Sequence, residues 1–421
     1  MQQADERPTF VDAFAGCGGL SLGLLRAGWK GLFAIEKDAF AFATLKANLI
    51  DAHSTRVRFD WPESIEKCPS TIEALMVNRR ECLSSFRGAV DLLAGGPPCQ
   101  GFSSAGRRRP SDPRNQLVER YLEFVELIKP RMVFIENVRG ITHDFVASDE
   151  PAGRRNFADE LTTRLATHYH VYADTLRCSE FGVPQQRPRF FLVGLRKSQW
   201  RKLARGDDPF ASMRATKRRF LSARGLQPKV TCEQAISDLE RSYAGTGPCH
   251  DSKGYEAIRT AQARTNYQRL MRDKLEDDIS DTRLAKHQPH IIERFSRIIE
   301  ECKTSGRLNV QLNREMRNRH GLNKIATRVL DPTKVAPTIT SMPDDLLHYS
   351  EPRTLTVREN ARLQTFPDWF VFQGKYTTGG ELRAREVPRF TQVANAVPPL
   401  IAEMWGKVLL RYWAAKTSTR G

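Results

Sequence analysis

Apolar residues in the first half of the chain follow two rhythms. Short apolar runs, two of them holding a single aspartate, predict buried strands at Phe10 to Phe14, Leu32 to Ile35, Val90 to Ala94, Met132 to Ile135 and Phe190 to Val193. Helical spacings lie between them. Leu117, Tyr121, Phe124, Val125 and Ile128 share one face, and Lys129-Pro130 stops that helix. Another helix is predicted from about Leu20 to Ala27, with Gly28 placed to end it. Strands alternating with helices predict an α/β fold: a doubly wound, mostly parallel sheet covered on both faces.

The rhythm changes after Leu195. From Arg201 to Leu330 strand signals are weak, and 27 Lys+Arg stand against 16 Asp+Glu. This reads as a separate basic domain inserted into the α/β unit. The α/β style returns near Ala336. Thr356-Val357-Arg358-Glu359 is a capping box that opens a helix, and Pro367 closes it. A last helix spans roughly Pro399 to Trp413, with Ala414 to Gly421 expected to fray.

Composition narrows the class. The 421 residues suffice for two or three domains. A hydrophobic fraction of 40% with 27% charged residues excludes a disordered chain, a collagen and a disulfide-stapled mini-protein. No stretch is apolar enough to cross a bilayer, and Met1 to Pro8 carries no signal region, so a cytoplasmic protein with no membrane partner is expected. The net charge of +17 points to a polyanion such as nucleic acid, or to a basic surface kept for solubility. The eight cysteines form no CxxC pair, so neither a zinc ribbon nor a thioredoxin motif is present and no metal is expected.

Two places carry candidate chemistry. Asp12-Ala13-Phe14-Ala15-Gly16-Cys17-Gly18-Gly19-Leu20 joins a strand to a helix, and its glycines let backbone approach a ligand at the carboxyl edge of a sheet. Glu36 ends the next strand, where an acid meets the hydroxyls of a ribose. Together they predict a nucleoside-containing ligand; a structural turn with a surface glutamate is the alternative. Farther on, Gly95-Gly96-Pro97-Pro98-Cys99-Gln100-Gly101-Phe102-Ser103 delivers a cysteine to the sheet edge on a stiffened backbone. Arg107, Arg108 and Arg109 follow, and a positive environment favours the thiolate. A buried inert thiol is the usual alternative. Glu136 ends one predicted strand, and Arg187 and Arg189 precede another, which brings a thiol, an acid and a guanidinium to one edge.

These segments resemble the DNA cytosine-5 methyltransferases. DAFAGCGGLSLG, GGPPCQGFSSAGRR, FIENVRG, QQRPRFFLVG, RTLTVRENARLQTFPD and QVANAVPP stand in the family's order at both ends of the chain, while the stretch after Leu195 has no counterpart. The resemblance implies a Rossmann-like catalytic domain using S-adenosyl-L-methionine, formed by residues 1–195 and 340–421. It also implies a target-recognition domain at 196–339 and double-stranded DNA in the cleft between them. By the same resemblance Phe14, Gly16, Gly18, Gly19, Leu20, Pro98, Asn395 and Ala396 contact the cofactor. Glu36 binds its ribose and Asp60 its adenine. Gln100, Ser103 and Arg107 hold the DNA around the flipped base. The family pattern has glycine where Ala394 stands; a positive φ there would cost about 1 kcal/mol.

The implied chemistry runs as follows. The Cys99 thiolate adds to cytosine carbon 6, and carbon 5 becomes nucleophilic enough to take the cofactor's methyl group. Glu136 neutralises charge at ring nitrogen 3, in a closed pocket that would raise its pKa. Arg187 and Arg189 complete the catalytic set, Arg189 binding the carbonyl oxygen of the base. Sequence reading would fall to the basic insertion. Arg214, Lys217, Arg218, Arg219 and Arg224 form one cluster, and Arg314, Arg317, Arg319 and Lys324 another; each is a phosphate-contacting patch or a solvated helix face. A bacterial-type enzyme is expected, solitary or paired with a separate restriction endonuclease. A tRNA methyltransferase and a non-catalytic DNA-binding regulator are the alternatives. The basic insertion favours DNA over tRNA, and the intact Cys99, Glu136 and Arg189 argue against a regulator.

Overall fold

The structure, a computed structural model, describes residues 6–51, 57–97, 116–142, 145–146, 154–200, 207–273, 275–380, 382 and 385–417. Six strands form one sheet: β1 (Thr9–Ala13), β2 (Lys30–Ile35), β3 (Leu92–Gly95), β4 (Met132–Val138), β5 (Tyr169–Arg177) and β6 (Pro188–Arg196). Their order is β2-β1-β3-β4-β6-β5. The first four are mutually parallel, whereas β6 runs antiparallel to both β4 and β5. The reversal has a consequence: the start of β6 lies beside the end of β4, with Val138 paired to Arg189.

The chain divides into two compact units. The first spans Met1–Arg177, Pro188–Lys217 and Ile401–Gly421. Its parallel strands read as mostly apolar runs because both faces are covered. On one face Val11, Phe33, Leu93, Val133 and Ile135 pack with Val118, Tyr121, Phe124 and Val125 of helix Gln116–Ile128. On the other, Trp405 of helix Pro399–Thr417 lies 5.5 Å from the Phe134 ring and 5.7 Å from that of Phe191. Helix α1 (Gly19–Ala27) shares this second side; a Cβ on Gly406 would stand 2.6 Å from that of Ala27. Gly28 ends α1 in the left-handed region, its N–H reaching Leu24 and Leu25.

The final helix runs past its expected end at Trp413 to Thr417, and residues 418–421 of the stretch expected to fray lie outside the described residues. The Trp413 indole helps tie it down by donating to Asp91 Oδ1 at 3.1 Å. Strand β5 escaped the sequence reading. It is the sheet's edge and keeps mostly half-buried polar positions, so no apolar run marks it.

The second unit spans Cys178–Arg187 and Arg218–Leu400. Helices and very short strands dominate it. Phe295, Ile298, Ile299 and Cys302 of helix Pro289–Thr304 pack on Leu312, Met316, Val329 and Leu347. The predicted capping box opens helix Val357–Leu363, every residue of which is buried. Arg358 and Arg362, one turn apart, have no exposed surface. Arg362 Nε reaches Asp368 at 2.6 Å and its Nη1 reaches Asp238 at 3.1 Å. Arg358 reaches Asp281 at 3.3 Å and donates to the Phe370 carbonyl at 2.6 Å.

Candidate active site

Parallel pairing of β1 and β2 sets their carboxyl ends side by side. The turn after β1 then meets the acid after β2. Gly16 N–H donates to Glu36 Oε2 at 2.9 Å, and Asp38 N–H to Oε1 at 2.7 Å. A carboxylate has about four acceptor positions, so these bonds fix Glu36 without exhausting it. Burial pushes its pKa up, against the pull of the two amide bonds.

The turn itself is tightly specified. Phe14, Gly16 and Gly18 all have positive φ, at 60°, 56° and 96°. At Gly18 a Cβ would also meet the Leu49 side chain at 2.9 Å, while around Gly16 there is open space. Beneath the turn, Ser21 donates to buried Asp12 at 2.5 Å. Burial raises the Asp12 pKa to about 7, with Glu36 adding to the effect and the Ser21 bond opposing it. Cys17 in the same turn is buried, and desolvation pushes its thiol far up, so it is inert. Gly19 and Leu20 are buried at the start of α1. Asp60 is different: its carboxylate is 67% exposed and paired with Lys30 at 2.6 Å.

The second cluster stands at the ends of β3 and β4. A Cβ on Gly95 would lie 2.6 Å from the Ala13 carbonyl oxygen, so only glycine fits. Gly96 packs on Glu136, with 3.4 Å left between a Cβ and Oε2. Glu136 Oε1 is 3.0 Å from Arg189 Nε, and the two side chains are only 9% and 11% exposed. Asn137 Nδ2 donates to the Pro97 carbonyl at 2.8 Å, and its Oδ1 accepts from Val138 N–H at 2.8 Å. The segment leading toward residue 99 is thus held by both Glu136 and Asn137. Pro98, Cys99, Gln100, Ser103 and Arg107 lie outside the described residues.

In the second unit, Arg187 is 1% exposed and donates through Nη2 to the carbonyls of Ala394 and Ala396, each at 2.8 Å. Asn395 ends helix Arg389–Asn395 and is exposed. Ala394 lies within that helix without a positive φ, so the substitution of alanine for glycine carries no backbone penalty.

Several cations of the basic clusters are committed to neighbours. Arg214 pairs with Asp174, Arg319 with Glu301 and Glu315, and Lys324 with Asp344 and Asp345. Arg224 lies over the Phe220 ring at 3.7 Å. Sequence reasoning passed over Asp12, Ser21 and Asn137, although each stands within a quoted motif. Their signal was a polar residue within an apolar strand or helix, which needs a partner when buried. Among the described residues no group of three or more His, Cys, Asp or Glu could hold a metal, and no helix is long and apolar enough to cross a membrane.

The model of the C-5 cytosine-specific DNA methylases matches residues 8–411. The chain belongs to that family. This DNA cytosine-5 methyltransferase is a transferase dependent on S-adenosyl-L-methionine, and its substrate is DNA. It is 30% identical over 403 residues to the type II methyltransferase M.DdeI of Desulfomicrobium norvegicum, covering 93% of this chain and 86% of that protein. M.AgeI of Thalassovita gelatinovora is also 30% identical, over 95% of this chain and 98% of its own. A crystal structure described as a DNA modification methyltransferase encoded within an E. coli prophage superposes with a TM-score of 0.66. At 23% identity, over 97% of this chain and 99% of that one, it shares the fold.

Proposed function

We propose that the methyltransferase works through Cys99, Glu136 and Arg189, on a cytosine flipped out of double-stranded DNA. The observation that carries this reading is the Glu136–Arg189 pair packed on Gly96, three residues before Cys99. The Cys99 thiolate adds to cytosine carbon 6. Electron density moves to nitrogen 3 and carbon 5, and Glu136 supplies the proton or hydrogen bond at nitrogen 3. Arg189 binds the carbonyl oxygen and orients Glu136. Loss of the carbon-5 proton after methylation expels Cys99 and restores the aromatic ring. Gln100, Ser103 and Arg107 hold the backbone around the extruded nucleotide.

The turn fits a nucleoside-containing group. Open space at Gly16 admits a ligand against backbone, and Glu36 keeps acceptor positions for a ribose diol. Phe14, Gly16, Gly18, Gly19, Leu20, Glu36, Pro98, Asn395 and Ala396 would hold S-adenosyl-L-methionine, which supplies an electrophilic methyl group when bound. Asp60, exposed and paired with Lys30, would reach the adenine only by exchanging that partner. Arg187 acts as a positioning residue through the 394–396 turn.

Residues 196–339 carry target recognition, and 1–195 with 340–421 the catalytic machinery. The enzyme modifies DNA in the cytoplasm of a prokaryote, within a restriction-modification pair whose endonuclease is a separate protein. Bisulfite sequencing of a methylation-free bacterial host expressing the chain tests this. Protected cytosines in one short context, lost with Cys99→Ala, are expected. Methylation of tRNA with none of DNA would overturn it.

A further inference from the structure

The second unit contains a small three-stranded patch whose two faces differ. Strands β7 (Thr246–Pro248) and β8 (Glu256–Ile258) pair antiparallel, with Ala257 opposite Gly247. Residues 282–284 add a third edge: Arg283 bridges Ala257, and Leu284 N–H donates to Glu256 O at 2.8 Å. Ile258 and Leu284 point inward and pack with Leu239 and Ile279. Alternation puts Tyr255, Arg259 and Arg283 on the other face. Gly247 leaves room there for Arg259, whose Nε would stand 3.0 Å from a Cβ.

Arg283 lies between two aromatic rings. Its guanidinium lies 4.3 Å from the Tyr255 ring centroid and 3.6 Å from that of Tyr376. Tyr255 is its diagonal cross-strand neighbour, which explains the first contact. Tyr376 is fixed in turn. Its hydroxyl donates to Asp251 at 3.0 Å, and Arg389 lies over its ring at 4.2 Å. The chain enters Arg283 from buried Asp281, whose positive φ of 63° is held by ion pairs to Arg358 and Arg389. Among the described residues Arg283 meets no carboxylate; its hydrogen bond is to Ser252 Oγ at 3.3 Å. Lys286, 4.7 Å from the Tyr255 ring, extends the same basic and aromatic face.

We infer that Arg283 reads a guanine in the major groove of the target duplex, with Arg259 and Lys286 contacting flanking phosphates. A phosphate can be met by a mobile cation, but a base edge must be met in a fixed orientation. Two ring faces supply that orientation, and a guanidinium matches the O6 and N7 acceptors of guanine. Arg214, Arg319 and Lys324, neutralised by carboxylates, lack this freedom. The inference rests on residues 196–339 being the target-recognition segment.

The test begins with the bisulfite map of the wild-type enzyme, which defines the motif. Purified wild type is then assayed on duplexes carrying 7-deazaguanine at each guanine of that motif in turn. One replacement is expected to lower kcat/KM by about tenfold or more. Arg283→Ala should be insensitive to that same replacement, and the genomic map of Arg283→Lys should lose its preference at that position. Wild-type insensitivity at every guanine overturns the assignment while leaving the methyltransferase reading intact. So does a uniform loss in Arg283→Ala that keeps the 7-deazaguanine penalty. Absence of any context-specific DNA methylation by the wild type overturns both. The wild-type arm on modified DNA needs no variant, so a folding defect in Arg283→Ala cannot decide the outcome.

Discussion

Arg189 and Arg362 both hold carboxylates at close range, one in each unit, and their surroundings set them apart. Arg189 meets Glu136 at 3.0 Å at the end of a sheet whose interior is apolar, and both side chains keep about a tenth of their surface open. Arg362 meets Asp238 and Asp368 with no surface open on any of the three. It also donates to the Ala235 carbonyl at 3.0 Å. The first unit can spare its ion pair, because Val11, Phe33, Leu93 and Phe124 supply the packing. The second is organised around its own pairs. Partial exposure at a sheet end leaves a charged pair available to a substrate; complete enclosure makes it part of the frame.

The largest effect that would break this contrast concerns stability. Arg362→Met leaves buried Asp238 and Asp368 to share Arg272, one negative charge in excess, and should cost about 3–5 kcal/mol. Denaturant unfolding followed by tryptophan fluorescence reads the loss. An unchanged midpoint would show that the enclosed network is dispensable, and the contrast would fail.

On the first unit's side Asp12, 1% exposed, is a carboxyl enclosed within the sheet. Its ordinary value of 3.8 rises to about 7 in the folded chain, which corresponds to on the order of 4 kcal/mol. The folded state therefore holds a proton that the unfolded state has released. This contribution is complete below about pH 4 and disappears as the pH rises to about 7. Asp12→Asn keeps the shape and removes the titration. Between pH 4 and 7 the wild type should lose stability relative to this variant; parallel curves would place Asp12 among the ordinary carboxylates.

Much of the first unit was legible in advance. Its strands are short apolar runs, and parallel strands covered on both faces leave that mark. Glu36 and Glu136 could be placed because strand ends at the carboxyl edge collect chemistry. The direction of β6 was not legible, since an apolar run carries no polarity, yet that reversal is what brings Arg189 to Glu136. The second unit was opaque for another reason. Arg358 and Arg362 look solvent-facing in a sequence, and only the positions of Asp238, Asp281 and Asp368 reveal that they are core. Partners 77 and 124 residues away leave no periodic trace.

Glu136→Gln sharpens the comparison from the catalytic side. The amide keeps the shape but can neither carry the charge that faces Arg189 nor deliver a proton to nitrogen 3. Methylation should fall by about 10²–10³-fold, with an unfolding midpoint close to that of the wild type. Arg362→Met should show the reverse pattern, with near-normal turnover per folded molecule. Loss of stability in Glu136→Gln comparable to that in Arg362→Met would make the two pairs equivalent.

The smallest effect concerns Asn137, which touches no substrate in this scheme and acts through the backbone. Its Oδ1 accepts from Val138 N–H while its Nδ2 donates to the Pro97 carbonyl, two residues before Cys99. Asn137→Asp preserves the first bond and turns an acceptor toward Pro97, so the two oxygens repel. A nucleophile displaced by a fraction of an ångström reacts more slowly without binding its substrate less well. The expected result is a fall of about tenfold in kcat with KM for DNA nearly constant. Asn137→Gln, which keeps a donor on a longer arm, should recover part of it. A rise in KM with kcat intact would assign Asn137 to DNA binding instead. The neutral residue beside Glu136 would then belong with the substrate-facing groups, and the boundary drawn between chemistry and frame would have to move by one strand position.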